Sequence, residues 1–291
     1  MAQNSEKTST WFNNIFCCPD CGTELQDCYQ NRCPGCHREF INNDFRISAE
    51  RHKVLSHAQY RSFTGDEVFN DIIASPPTIT YHGPITGRDS RELVSVMEQH
   101  LNPGDRILDL GCGPRDQLEL LTSLGYQYIG VDYSNQNADF LVDAHALPLK
   151  DAQFECVFAY AVMEHLHDPV LAISEVSRIL KPGGIFVGVW SQGEPFHGSF
   201  VHATAWGLVS SFQHAPDMQI ERLWPTMDTI KSLSRMGRYP KIIKSLLAAI
   251  DWLHQTFPIL SPRKRNWSDL NKEIDAIHRA GSIGICVKKL N

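Results

Sequence analysis

Two short apolar runs end in groups that can hold a polar ligand. The first is Ile107-Leu108-Asp109-Leu110-Gly111-Cys112-Gly113, an apolar stretch carrying an acid and then two glycines. The second is Tyr128-Ile129-Gly130-Val131-Asp132, whose terminal carboxylate lies nineteen residues after Gly113. If both are parallel strands, they deliver a glycine turn and a carboxylate to one edge of a sheet. A carboxylate there can accept hydrogen bonds from ribose hydroxyls, and glycines let the backbone approach a ligand closely. A third group is metal-like. Cys18-Pro19-Asp20-Cys21 and Cys33-Pro34-Gly35-Cys36 are two Cys-x-x-Cys pairs separated by eleven residues. Each tight turn presents two thiolates to one ion, and two such turns complete a tetrahedron of the kind zinc prefers.

The glycine turn has three readings. A dinucleotide fingerprint needs a third glycine where this chain has Asp116. A phosphate-binding P-loop needs Gly-Lys-Ser/Thr, which is absent. An acid at Asp109 disfavours a pyrophosphate but suits a cofactor with a cationic amino group. An ordinary strand-to-helix turn is the plainer alternative, and a helix cap is the plainer reading of Asp132. Cys112 reads as turn filler, since nothing beside it would activate a thiol.

The elements needed to position these groups follow from periodicity. Strands are expected at 106–110, 127–131, 139–142, 154–159, 184–190, 218–223 and 282–289. Helices are expected near 115–124, 168–180 and 203–213, with more between 228 and 279. Such alternation predicts an α/β, doubly wound sheet. A helix from Asp89 or Ser90 carries the stripe Leu93, Val94, Met97 and Leu101, and one or two helices are plausible within 49–73. Only ten residues separate Asp132 from Asp143, too few for a full helix and strand. The crossover there must be shrunken or lost, and the sheet edge thin.

Further landmarks follow in order: Asp143-Ala144-His145-Ala146-Leu147-Pro148, Phe154-Glu155-Cys156-Val157, Met163-Glu164-His165-Leu166 with Asp168-Pro169, and Arg178-Ile179-Leu180-Lys181-Pro182-Gly183-Gly184. With the glycine turn and Asp132 they resemble the class I S-adenosylmethionine (SAM) methyltransferases related to the menaquinone and ubiquinone C-methylases. The resemblance covers residues 105–190. It implies a seven-stranded Rossmann-like methyltransferase sheet with SAM as methyl donor. Residue by residue, Gly111 and Gly113 would support the methionyl end, with Asp109 near its amino group. Asp132 would hold the ribose, Tyr133 would pack on adenine, and Asp143 with Ala144 would read the adenine edge. Tyr160 would face the sulfonium region, with core packing an equal alternative. Arg115, where many members have a small residue, would pair with the cofactor carboxylate or face solvent. Residues 16–47 resemble the zinc ribbon that precedes many bacterial methyltransferase domains, with Cys18, Cys21, Cys33 and Cys36 as structural ligands. Cys17, Cys28 and His37 are spares.

The organisation expected is a flexible N-terminus (1–15), the ribbon (16–47), a helical linker or cap (48–104), and a SAM-binding domain (105–291) with a helical insertion at about 228–279. The 291 residues carry a net charge of −6 and 42% hydrophobic residues, which fits an ordinary globular protein without a global attraction for nucleic acid. No signal peptide or membrane span is legible, so a cytoplasmic location is the default expectation. The stretch 228–272 is locally basic, with nine Lys or Arg against three Asp. Within it, 241–256 has an amphipathic pattern: a solvated helix packed on the core is the commoner explanation, a lid or a peripheral membrane contact the alternative.

Methyl transfer to a small molecule, or to a lipid or sugar intermediate, is the leading functional expectation. The acceptor is unnamed by the sequence. His197, His202 and His165 are weak candidates for a general base, and Tyr160 for a catalytic contact. Two other readings are an RNA base methyltransferase whose ribbon grips RNA, and a SAM-binding protein without turnover. The acidic net charge weighs against the first, and the intact glycine turn with Asp132 against the second.

Overall fold

The computed structural model describes residues 10–48, 90–193, 198–228, 239–256, 277 and 280–291. Its centre is a seven-stranded sheet in the order β3-β2-β1-β4-β5-β7-β6. In chain order the strands are β1 (Arg106–Leu110), β2 (Gln127–Asp132), β3 (Phe140–Leu141), β4 (Phe154–Tyr160), β5 (Leu180–Ser191), β6 (Met218–Asp228) and β7 (Ala280–Lys289). The first five run parallel. β7 is antiparallel to β5 and to β6. The fold is thus Rossmann-like, with a mixed sheet.

Period-two alternation explains how both faces are covered. Along β4, Phe154, Val157 and Ala159 face one apolar layer, whereas Cys156, Phe158 and Tyr160 face the other. The second layer holds α1 (Ser90–Met97) and α2 (Leu118–Ser123), through Leu93, Met97 and Leu121. The first holds α3 (Pro169–Ile179) and α4 (Ala205–Phe212), through Ile173, Val176, Leu208 and Phe212. The α3 start is set locally: the Asp168 side chain accepts from the Leu171 N–H at 3.1 Å, and Pro169 occupies the first turn. The linker helices expected within 49–73 lie outside the described residues, as does Asp89.

No helix joins β2 to β3. Residues 133–139 return as a chain of turns, because β3 pairs only with the last two residues of β2, Val131 and Asp132. The exposed edge of β3 is closed by the N-terminal module instead. Asp44 bridges Leu141 in parallel, the Phe45 N–H donates to the Leu141 carbonyl at 2.7 Å, and the Leu141 N–H donates to Asn43 at 3.0 Å. Behind this seam Phe16, Phe40, Phe45 and Phe140 pack ring to ring, with centroids 4.6 to 5.8 Å apart. Trp11 sits edge-on against Phe154 and Phe12 against Phe140. Residues 10–15, expected to be flexible, are therefore anchored: Ile15 is buried, and its carbonyl accepts from the Lys150 N–H at 2.7 Å.

α5 (Lys241–Thr256) forms where the amphipathic pattern predicts it. It does not bury its apolar face. Ile242, Leu246, Ile250 and Leu253 are all exposed, so the expectation of a helix packed on the core through that face is not met. No helix among the described residues is long and apolar enough to cross a membrane.

The aromatic seam gives a direct test. Phe45 is 1% exposed. Truncating a buried phenylalanine costs about 3–5 kcal/mol, so Phe45→Ala should lower the urea midpoint strongly. An unchanged midpoint would mean that the module only rests on the sheet.

Candidate functional site

The turn after β1 is shaped by three left-handed residues: Gly111 (φ 69°), Gly113 (φ 53°) and Arg115 (φ 68°). The Gly111 and Cys112 N–H groups both donate to the Val131 carbonyl, at 2.8 and 3.0 Å. A Cβ on Gly111 would lie 2.5 Å from Val162 Cγ2, so any other residue there would be strained and would have to displace Val162. Asp132 ties the turn to the end of β2. Its Oδ2 accepts from the Gly113 N–H at 3.0 Å, and its Oδ1 from the Ser134 and Asn135 N–H groups at 2.9 Å. The ligand and cap readings of this acid are therefore not exclusive, because one carboxylate braces both the glycine turn and the loop after β2.

Above these strand ends lies a cavity of about 580 Å³. Gly111, Asp132, Tyr133, Asp143 and Ala144 line it, together with Leu110, Val142, His145, Ala161, Val162, His165, His167 and Phe200. Three of the expected cofactor residues are elsewhere. Asp109 points off the cavity and accepts the Tyr128 hydroxyl proton at 2.8 Å. Gly113 contributes its N–H to Asp132 and is not on the wall. Tyr160 packs with the α1-side layer, so it does not face the site. The reason is strand alternation: Asp109 and Tyr160 occupy positions that point to the opposite face. Arg115 meets neither expectation. Its guanidinium pairs with Asp139 at 3.0 Å and lies over the Tyr128 ring.

Of the histidines, His165 lies exposed on the cavity wall, in the short 3₁₀ turn Met163–His165. His202 bonds Ser199 Oγ at 2.6 Å and is not on the wall. His197 lies outside the described residues. Two wall residues escaped the sequence reading, His145 and His167, whose rings sit 4.1 Å apart. His145 is buried, and its Nδ1 lies 2.6 Å from Asp143 Oδ1. The Asp168 backbone N–H can only donate, and it meets His145 Nε2 at 3.3 Å. The imidazole proton therefore sits on Nδ1, donated to Asp143. The spacing Asp143-x-His145 was the available signal, masked by reading Asp143 alone.

The N-terminal module grips both sides of this cavity. Arg46 donates to the Tyr133 carbonyl at 3.3 Å and lies over the Tyr133 ring, held by Asp44 at 2.5 Å. On the other side the Cys17 N–H donates to the Pro148 carbonyl at 2.9 Å and Phe16 bridges Leu149. The 145–149 loop is thus clamped between the module and α3, whose Arg178 and Glu175 bond the Leu147 backbone.

Four sulfurs of the module converge. Cys18, Cys21, Cys33 and Cys36 place their Sγ atoms within 4.8 Å of one another. The spares do not join them: Cys28 bonds Asn13, and Cys17 is not in the group.

Comparison with known proteins matches the segment that holds the glycine turn and Asp132. Residues 108–188 match the family described as "Methyltransferase domain". Over that stretch the chain is similar to methyltransferase domains. It is 32% identical over 177 residues to the 2-methyl-6-phytyl-1,4-hydroquinone methyltransferase of Synechocystis sp., covering 54% of this chain and 52% of that protein. It is 34% identical over 96 residues to the ubiquinone biosynthesis O-methyltransferase of Nitrobacter winogradskyi, covering 28% of this chain and 37% of that one. The chain spans about half or less of these relatives' length. Among solved structures, the [4+2]-cyclase SpnF superposes with a TM-score of 0.47 at 22% identity, covering 77% of this chain and 92% of that chain.

The strand before the glycine turn carries a buried acid whose ionisation is coupled to stability. Burial pushes Asp109 up to about 7, against the lowering effect of the Tyr128 hydroxyl. Its protonated form is favoured by folding. That stability is complete below the ordinary carboxylate range and is lost as the pH rises through about 7. The slope is at most about 1.4 kcal/mol per pH unit. Asp109→Asn cannot titrate, so its melting temperature relative to wild type should climb from pH 4 to pH 7 and then level off. A gap independent of pH would refute the burial effect.

Proposed function

We propose that this protein transfers a methyl group from SAM to a small-molecule acceptor. The observation that carries the reading is the Gly111–Asp132 wall of the 580 Å³ cavity. Gly111 lets Val162 close against the turn, and the methionyl chain would lie along the wall that these two residues form. Asp132 uses three of a carboxylate's roughly four acceptor sites on backbone N–H groups. The remaining site, on Oδ2, suits a ribose hydroxyl. Tyr133, Val142 and Ala144 offer an apolar slot for adenine, and the Asp143–His145 pair fixes the loop beside it. SAM, when bound, supplies a sulfonium methyl electrophile.

The residues' own contribution is alignment and exclusion of water, which is where most of the rate gain in such a transfer originates. Val162, Leu166 and Phe200 make the acceptor end of the cavity apolar. His165 is the residue placed to take a proton from an acceptor hydroxyl. Two of the relatives are a hydroquinone methyltransferase and a ubiquinone biosynthesis O-methyltransferase, and a phenolic or hydroquinone acceptor fits this wall.

A second part of the proposal is a structural zinc in the N-terminal module. Zinc–sulfur arms of about 2.3 Å give tetrahedral edges of about 3.8 Å. The sulfurs of Cys18 and Cys36 are 3.6 Å apart, and those of Cys21 and Cys33 3.5 Å. The Gly35 and Cys36 N–H groups point at Cys33 Sγ, as they do when a turn stabilises a thiolate. Four protein ligands leave no open position, so the ion's contribution is to folding.

Calorimetric titration with S-adenosylhomocysteine tests the first part. Asp132→Ala should weaken binding at least tenfold, and Arg46→Ala a few-fold through release of Tyr133. Unchanged affinity in Asp132→Ala would remove the cofactor assignment. Replacing Cys18 and Cys21 together by serine tests the second. It should remove one equivalent of zinc and open residues 16–47 to protease. Retention of full zinc content would refute the ligand set.

A further inference from the structure

We propose a second metal site, for a zinc-class divalent ion, formed by His100, Glu221 and Cys286. It lies on the α1 side of the sheet, apart from the cavity and from the four-cysteine cluster. His100 Nε2 is 3.5 Å from Glu221 Oε2 and 3.9 Å from Cys286 Sγ, and all three ligand atoms fall within 4.8 Å. Arms of 2.0–2.3 Å at a tetrahedral angle give ligand-to-ligand distances of about 3.3–3.6 Å. The two distances from His100 need to close by at most a few tenths of an ångström, and Glu221 and Cys286, within 4.8 Å of each other, draw together around the ion. Imidazole nitrogen, carboxylate oxygen and thiolate sulfur are all common zinc donors.

The local backbone explains how the three meet. His100 closes the turn after α1, where its N–H donates to the Met97 carbonyl at 2.9 Å. Cys286 on β7 points to the α1-side layer. Glu221 on a regular strand would point to the opposite face from the cysteine's neighbour Arg222. The β6–β7 register, however, jumps between Ile220, paired with Val287, and Arg222, paired with Cys286. Glu221 is the extra residue of a β-bulge, and a bulge re-aims its side chain. The re-aimed carboxylate arrives beside His100 and Cys286.

Neighbouring charge is accommodated. Lys288 Nζ approaches the other oxygen, Glu221 Oε1, at 3.9 Å, leaving Oε2 toward His100. The Arg222 guanidinium lies over the Trp224 ring. Cys286 is fully buried, whereas the His100 and Glu221 side chains are 24% and 33% exposed. The fourth corner of the tetrahedron therefore faces solvent, and water fills it. The ion would join the end of α1 to the β6–β7 pair.

Metal content reads this out. Wild-type protein incubated with zinc and desalted should hold one equivalent more than His100→Ala or Cys286→Ser. The variant lacking Cys18 and Cys21 should keep that equivalent while losing its own. Cobalt loaded into that same variant should give a thiolate-to-cobalt band that disappears with Cys286→Ser. Zinc should also raise the wild-type melting temperature by a few degrees more than that of His100→Ala. If Cys286→Ser fails to fold, the partly exposed His100→Ala and Glu221→Gln decide alone. Equal metal content in wild type and His100→Ala overturns the site. Cobalt binding without a thiolate band overturns the part of Cys286.

Discussion

The edge of β3 is the constraint on which the rest of the structure depends. A two-residue strand at the end of a parallel sheet exposes its backbone groups, and the chain from Asp132 to Phe140 is too short to cover it with a helix. The N-terminal module supplies the cover, with Asn43 to Phe45 as an extra edge segment and Phe16, Phe40 and Phe45 as the packing behind it. Each buried phenylalanine contributes roughly 1.5–3 kcal/mol, against about 0.5–1.5 for each edge hydrogen bond. The aromatic seam is the larger effect, and the hydrogen bonds fix its register.

This arrangement makes the module part of the cavity's frame. Arg46 reaches Tyr133 on one side, and residues 15–17 hold 148–150 on the other. Both held segments are loops, which on their own are the softest part of a sheet's carboxyl edge. Their order is set by a fragment of about thirty residues that is too small to fold on a core of its own. Convergence of four sulfurs in that fragment then acquires a purpose: whatever holds the cysteines together also stiffens the cavity.

Much of this was legible in the sequence. Apolar runs such as Ile107–Leu110 and Phe154–Ala159 marked the strands, because a parallel sheet buried on both faces requires continuous hydrophobicity. The ten-residue gap after Asp132 foretold the missing helix. What the sequence did not carry was facing. Asp109, Tyr160 and Arg115 each have a type suited to a cofactor, yet alternation turns the first two away, and Asp139 draws the third. Asp143 and His145 illustrate the converse, since their role emerges only when Asp168 folds back to fix the imidazole tautomer. The exposure of the α5 apolar face also had no counterpart in the pattern, which specifies a stripe but not what meets it.

The residues turned away from the cavity are not idle. The Tyr128 hydroxyl reaches Asp109 through space that a side chain on Gly130 would fill, since a Cβ there would lie 2.5 Å from that oxygen. Arg115 covers the same ring and pairs with Asp139, which accepts the Gly130 N–H at 2.9 Å. Arg115 reaches this position only by adopting a left-handed backbone, at a cost of about 1–2 kcal/mol for a residue with a Cβ. A buried carboxylic acid, a tyrosine, a glycine and a strained arginine thus form one support beneath the turn. The glycine turn is held from above by Asp132 and from below by this group. Its shape is therefore set before any ligand arrives, so binding there does not bear the entropic cost of ordering the loop.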